Sequence, residues 1–348
     1  MKQFIRPLMF LVAVSAILLL SDLHNRKGAA RNSVKTRIAV FRFNSNQILE
    51  ETERGLLDRI QASEDFVNGR IEIRRYNAEG DMPTANTIAR NIVSEQFDIV
   101  VSISTPGLQV MANANKDRKI LHVFCAVTDP VAAGVGITGP GASQHPAHLV
   151  GIGTFQPVEG VIRIAKKMNP DLKKMGVVWC TSETCSEACV KKARVICKEL
   201  GIELVEMSVE TVSQVYEAAL AVCSKEVEAL WIGGDNVVEP AIEMYVGAAN
   251  KSRIPVFTNN PKHAFKGSMA NLGANYFEVG QTTGTMVLSL INGLPTNQIE
   301  IKNVVPEKLY INESARKQMK GNWVFPDDLL ARTDSVINVK QVLSNPKN

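Results

Sequence analysis

The chain has 348 residues, of which 45% are hydrophobic and 21% charged, a globular composition with length for about two domains of ~100–200 residues each. Its 39 basic and 35 acidic residues leave a net charge of +4, and aromatics are 6%. With no basic block among them, this excludes the electrostatic footprint of a nucleic-acid binder and points to a small-molecule partner.

Lys2 and Arg6 precede an apolar run from Pro7 to Leu20, and the polar segment SDLHNRKGAARN follows. That is the pattern of a secretory signal or a short signal anchor. The run is short of the ~20 residues of a spanning helix, Ala29-Ala30 is the candidate cleavage point, and no lipid-accepting Cys stands beside it. Whether cleaved or retained, residues 1–35 address the domain to the periplasm or another extracytoplasmic space.

From Thr36 the pattern alternates. TRIAVFRF reads as a strand, a helix starts near Gln47, and RIEIRRYN is a second strand. TANTIARNIVSEQ is a helix, FDIVVSIS a strand, a helix starts at Pro106, and KILHVFCA is the fourth strand. Apolar β-branched runs separated by helices of period 3.6 predict βαβ units and a parallel sheet covered on both faces. Four strands complete this first lobe.

The same grammar restarts after HLVGIGTF. A helix from Val158, the strand KMGVVWC, a helix ending at Leu200-Gly201 and the strand IELVEMSV come first. A helix over Val212 to Ser224, the strand ALWIGG, a helix from about Val238 and the strand IPVFTN complete a second lobe of the same type. MANLGANYFEVGQTTGTMVLSLINGLP reads as a bend followed by a long helix.

Paired open α/β sheets bind ligands at the carboxyl ends of their strands, in a crevice that loops of both halves face. Those loops supply the candidate ligand-binding residues: Asn44 and Ser45, Ser104 and Thr105, Thr128 and Asp129, Phe155 and Gln156, Thr181, Asp235 and Asn236, and Asn259. Neither paired catalytic carboxylates nor a Ser/His/Asp set is evident among them, so no catalytic residue is assigned and the inventory is one of binding. Thr105 reads as the N-cap of a helix that begins with Pro106, an end able to hold a carboxylate, with simple capping as the other role open to it. Asp129, before Pro130, can accept from a ligand ammonium or close an Asx turn. Asp235 can accept from an ammonium or cap a helix.

Three other motifs carry less. Gly134, Gly136 and Gly139 form a literal G-x-G-x-x-G, but a dinucleotide site needs a helix opening within it, and Pro140 and Pro146 follow instead. A surface loop is expected, with no cofactor. Cys180, Cys185, Cys189 and Cys197 are spaced unlike any common zinc pattern, with no His near them, so no metal is expected. His122 falls within its strand.

The segments TANTIARNIV, FDIVVSISTPGLQVMANA, VFCAVTDPVAAGVG, GDNVVEPAIEMYVGAANKSRIPVFT and GSMANLGANYFEVGQTTGTM, in this order and spacing, resemble the ABC-transporter substrate-binding proteins of the tryptophan/tyrosine-binding type, over roughly Ile38 to Asp334. The resemblance implies a type I periplasmic-binding-protein fold: two Rossmann-like lobes with parallel sheets, joined by three crossovers, closing on a ligand in the cleft between them. It puts Thr105-Pro106, Thr128-Asp129-Pro130 and Asp235-Asn236 on that cleft. The lobes it implies are residues 36–152 with about 272–298, and 153–271 with about 299–335, leaving 336–348 as a tail. The protein would be a monomer that closes on a small molecule, an amino acid or a related compound, and hands it to an ABC permease. The alternative is a sensory receptor reporting to a membrane signalling partner. CTSETCSEA and Asn44-Ser45 depart from loops common in the family, at positions where ligand side chains are read.

Overall fold

The computed structural model describes residues 35–338; the leader or anchor and the end of the tail lie outside them. Strands β1 (Thr36–Arg42), β2 (Ile71–Asn77), β3 (Ile99–Ile103), β4 (Leu121–Val127) and β5 (Leu149–Gly153) form one parallel sheet in the order β2-β1-β3-β4-β5. β3 and β5 are buried along their whole length, as a sheet with helices on both faces requires. The helices of this lobe are α1 (Gln47–Gln61), α2 (Glu64–Val67), α3 (Met82–Ser94) and α4 (Thr105–Ala114). Asn46 and Asp81 set the starts of α1 and α3, their side chains accepting the amides of Leu49 and Thr84, which satisfies otherwise free donors of the first turn.

The expected four strands are therefore five. The connection from β4 to β5 is a long run of turns without a helix, so a count of strand-helix pairs ends one strand early. That run contains the G-x-G-x-x-G, with Gly134 and Gly136 at φ +71° and +87°, and no helix opens in it.

The second sheet has seven strands: β6 (Lys174–Cys180), β7 (Glu203–Val209), β8 (Ala229–Ile232), β9 (Val256–Thr258), β10 (Ala270–Ala274), β11 (Glu307–Asn312) and β12 (Ser335–Ile337), in the order β7-β6-β8-β9-β10-β11-β12. All pairs are parallel except β10 with β11. Helices α5 (Val158–Met168), α6 (Thr184–Glu199), α7 (Val215–Cys223) and α8 (Ile242–Ser252) cover it. The segment expected as a bend contains β10, and β11 and β12 are edge additions that the pattern did not announce. β10 has the small sequence ANLGA, and its Gly273 sits where a Cβ would lie 2.0 Å from the Asn259 carbonyl oxygen.

The chain passes between the sheets three times. Residues 154–157 lead from β5 to α5. Asn275 leads from β10 to α9 (Tyr276–Ile291), which packs against α1 beside the first sheet. Residues 292–306 then return to β11. The crossing segments are tied side by side: Gly153 N–H donates to the Lys302 carbonyl (2.9 Å), Val304 N–H to the Gly153 carbonyl (2.8 Å), and Asn275 N–H to the Pro306 carbonyl (2.8 Å). The seating of α9 depends on close backbone approach. A Cβ on Gly280 would stand 2.1 Å from the Thr52 carbonyl oxygen, and one on Gly55 2.0 Å from that of Phe277. Only glycine fits there. Among the described residues no helix is long and apolar enough to cross a membrane.

Candidate functional site

The strand ends of both sheets face each other across a narrow cavity of about 30 Å³. From the first lobe it is lined by Asn46, Ile48 and Leu49 at the start of α1, by Ser104 and Thr105 at the start of α4, and by Ala126 and Thr128 at the end of β4. Thr154 and Gln156 come from a crossing segment and Tyr276 from α9. The second lobe adds Cys185, Gly234, Asp235, Asn236 and Glu239.

The lobes touch around this space. Asn44 Nδ2 donates to the Asn236 carbonyl (3.1 Å) and Gln109 Nε2 to Thr184 Oγ1 (3.3 Å), while Lys262 pairs with Glu51. The arrangement is closed.

On the first-lobe side the helix cap is Ser104, one residue before the expected Thr105. Its hydroxyl accepts the Gly107 amide at 3.0 Å. Ser104 holds φ 104° and ψ 162°, a region that glycine adopts readily and other residues at a cost of about 1–3 kcal/mol. Ala126, also in the lining, has φ 52°. Two strained residues thus border one cavity. Thr105 Oγ1 accepts the Thr128 amide at 3.3 Å, which ties the α4 start to the end of β4.

The second-lobe side carries carboxylates. Asp235 is 5% exposed and its oxygens are filled by four protein donors: the Cys180 amide (2.7 Å) and Ser186 hydroxyl (2.8 Å) on Oδ2, and the Val237 and Val238 amides (both 2.8 Å) on Oδ1. The turn at 235–238 and the end of β6 are locked together by it. Glu183, absent from the sequence-based candidates, accepts the Asn236 amide at 2.8 Å. Burial raises the carboxyls of both Asp235 and Glu183, and the charge of Asp235 lifts Glu183 further, to about 7.

Glu239 is arranged differently. Its Oε2 lies 2.9 Å from His263 Nε2 and 3.4 Å from Asn260 Nδ2, whereas Oε1 has no hydrogen-bond partner. Gln156 donates from Nε2 to the Tyr276 hydroxyl (3.0 Å), and its Oε1 is likewise without a partner, as is Thr154 Oγ1. All three side chains are at least nine-tenths buried.

Of the twelve residues expected in the site, the structure brings Ser104, Thr105, Thr128, Gln156, Asp235 and Asn236 into the cavity lining. Asn44 is the cross-cleft contact. Asp129 accepts the amides of Val131 and Ala132, both at 3.0 Å, an Asx turn, and with Phe155 it borders a separate groove. Ser45 is exposed and bonded to Glu79 (2.7 Å), and Thr181 is exposed and bonded to Glu210 (3.0 Å). Asn259 is buried, accepting from the Trp231 indole (2.9 Å) and donating to the Leu272 carbonyl (3.0 Å). Glu239 and Tyr276 escaped the sequence reading. Both stand just past the loop tips, one in a short EPA turn and the other at the first position of a helix.

The cysteines and His122 stand in the framework. All six cysteines are buried and free, and burial pushes the thiols of Cys125, Cys189 and Cys197 to about 12, which keeps them unreactive. His122 packs in β4 with Nε2 2.7 Å from Ser102 Oγ, and burial holds its imidazole down at about 3.

Two α/β lobes linked by three crossings and closed over a polar cavity define a solute-binding protein of the type I periplasmic fold. The chain belongs to the ABC transporter substrate-binding protein family, whose model matches residues 37–337, and is therefore the substrate-binding protein of an ABC transporter. The family is extracytoplasmic and is one of solute-binding proteins, not an enzyme class. Among relatives, a tyrosine-binding protein of Clostridioides difficile is 26% identical over 311 residues, 89% of this chain and 88% of that one. A conserved domain protein of Vibrio cholerae has a structure with TM-score 0.80 at 28% identity, covering 87% of this chain and 99% of the other. An ABC domain from Streptococcus pneumonia solved with L-Trp gives 0.78 at 22% identity, covering 87% and 100%. A ligand-free, open substrate-binding protein of Clostridium difficile gives 0.63 at 26% identity with the same coverage.

Proposed function

We propose that this protein is exported by its N-terminal segment, acts as a monomer, and closes on an amino acid that it delivers to an ABC permease. The lobes we assign as the closing bodies are residues 36–152 with about 272–298, and 153–271 with about 299–335. The observation that carries the reading is the polarity of the cavity: hydroxyls at the start of α4 on one face, buried carboxylates on the other. A zwitterion complements that arrangement, its carboxylate at the Ser104–Thr105 helix start, where the helix dipole favours an anion. Relatives named for tyrosine and solved with tryptophan support an amino acid. The hinge converts contacts to both lobes into closure, because bridging contacts exist only in the closed form.

Native mass spectrometry of the purified protein should reveal a carried amino acid. Calorimetry against the proteinogenic amino acids should return one or a few that bind and shrink the radius of gyration in solution scattering. A carried ligand with neither amine nor carboxylate sinks the reading.

A further inference from the structure

We propose that Glu239, with Gln156 and Thr154, forms the cation subsite of the cavity and receives the ligand's ammonium group; this rests on the reading of the protein as an amino-acid binder and assigns that ligand's positive pole. Three buried oxygens line the same space without a partner: Glu239 Oε1, Gln156 Oε1 and Thr154 Oγ1. A primary ammonium carries three N–H donors, one for each.

Asp235, four residues earlier, cannot serve in this way, since protein donors occupy both of its oxygens. Nor does the protein complete Glu239 itself. No Lys or Arg lines the cavity, and the groups that face the carboxylate, His263 and Asn260, both stand on its Oε2 side. These two also fix which oxygen turns inward. A buried carboxylate oxygen without a donor is unfavourable, and closure around a cation removes that penalty. The subsite thereby makes closure depend on the ligand's charge.

Isothermal calorimetry on the wild-type protein and Glu239→Gln tests this with L-tyrosine, L-tryptophan, the other proteinogenic amino acids, tyramine, tryptamine and the two corresponding propanoic acids that lack the amine. Glu239→Gln keeps the shape and the His263 contact while removing the charge, and is expected to weaken the best-binding amine roughly 10- to 100-fold. Thr154→Val should weaken the same compound less, and protects the test should the first variant fold poorly. Binding of tyramine without tyrosine, lost in Glu239→Gln, upholds the cation subsite and removes the amino-acid reading. Binding of a propanoic acid with equal affinity in both proteins overturns the subsite and leaves a carboxylate site standing. If no amine binds the wild-type protein, with or without a carboxylate, the subsite is overturned outright.

Discussion

The two faces of the cleft are made from the same local element, a parallel strand ending in a loop that enters a helix or turn, yet they are finished in opposite ways. The first-lobe face ends in hydroxyls and strained backbone: Ser104 caps α4, Thr105 braces Thr128, and no acid joins the lining from that lobe. The second-lobe face gathers Glu183, Asp235 and Glu239 around one turn. Within that face the acids divide again. Asp235 is saturated by its own lobe and holds the fold, whereas Glu239 keeps one oxygen in reserve. Proximity to the cleft therefore does not identify a ligand group; the criterion we propose is an unused hydrogen-bonding atom in the cavity lining.

The largest effect on this division belongs to Asp235. Asp235→Ala leaves the amides of Cys180, Val237 and Val238 and the Ser186 hydroxyl without their acceptor, and each buried donor left unpaired costs about 1–3 kcal/mol. A loss of roughly 3–5 kcal/mol in chemical denaturation is expected, in the range of breaking a buried charged network. A variant as stable as the parent would erase the distinction between the structural acid and the ligand acid.

Glu183 sharpens the comparison through pH. Its carboxyl is raised, so the closed fold holds a proton there that an unfolded chain releases above the ordinary carboxylate range. This contribution to stability is present in full below about pH 4.5 and is lost as pH rises through about 7. In Glu183→Gln that component disappears, and melting temperatures measured from pH 5 to pH 8 should fall less steeply than in the parent. An identical slope in both proteins would place the titration elsewhere.

The smallest effect is expected from the first lobe. Asn44→Ala removes one neutral hydrogen bond across the cleft, present only in the closed form, and one that its Oδ1 accepts from the Asn46 amide within the lobe, each worth about 0.5–1.5 kcal/mol. Affinity for the ligand should drop a few-fold, while the melting temperature of the unliganded protein falls by no more than the loss of the Asn46 bond accounts for. Calorimetry and thermal denaturation separate the two readouts, and a stability loss without an affinity loss would show that the bond is not a latch.

Much of this is legible in the sequence alone. The alternation from Thr36 onward determined the strands and helices of both lobes, because burial on both faces of a parallel sheet imposes apolar β-branched runs that local sequence displays directly. The same alternation located the loops at the carboxyl ends, and six of the twelve candidates taken from them line the cavity. Strands β5, β10, β11 and β12 were harder. They are short, glycine-containing or at sheet edges, or they lack an intervening helix, and their pairing arises from distant segments.

What only the tertiary structure decided was how each polar side chain spends its hydrogen bonds. Asp129, Asp235 and Glu239 are all acids near strand ends, and nothing in their immediate neighbours ranks them. One closes its own turn, one is filled by amides from β6 and the following turn, and one meets His263 from another loop with an oxygen left over. Hydrogen-bond satisfaction depends on which groups the fold brings within about 3 Å, and those partners lie up to dozens of residues away in the chain. Composition and period determine the scaffold; the long-range pairing of donors and acceptors determines which acid is available to a ligand.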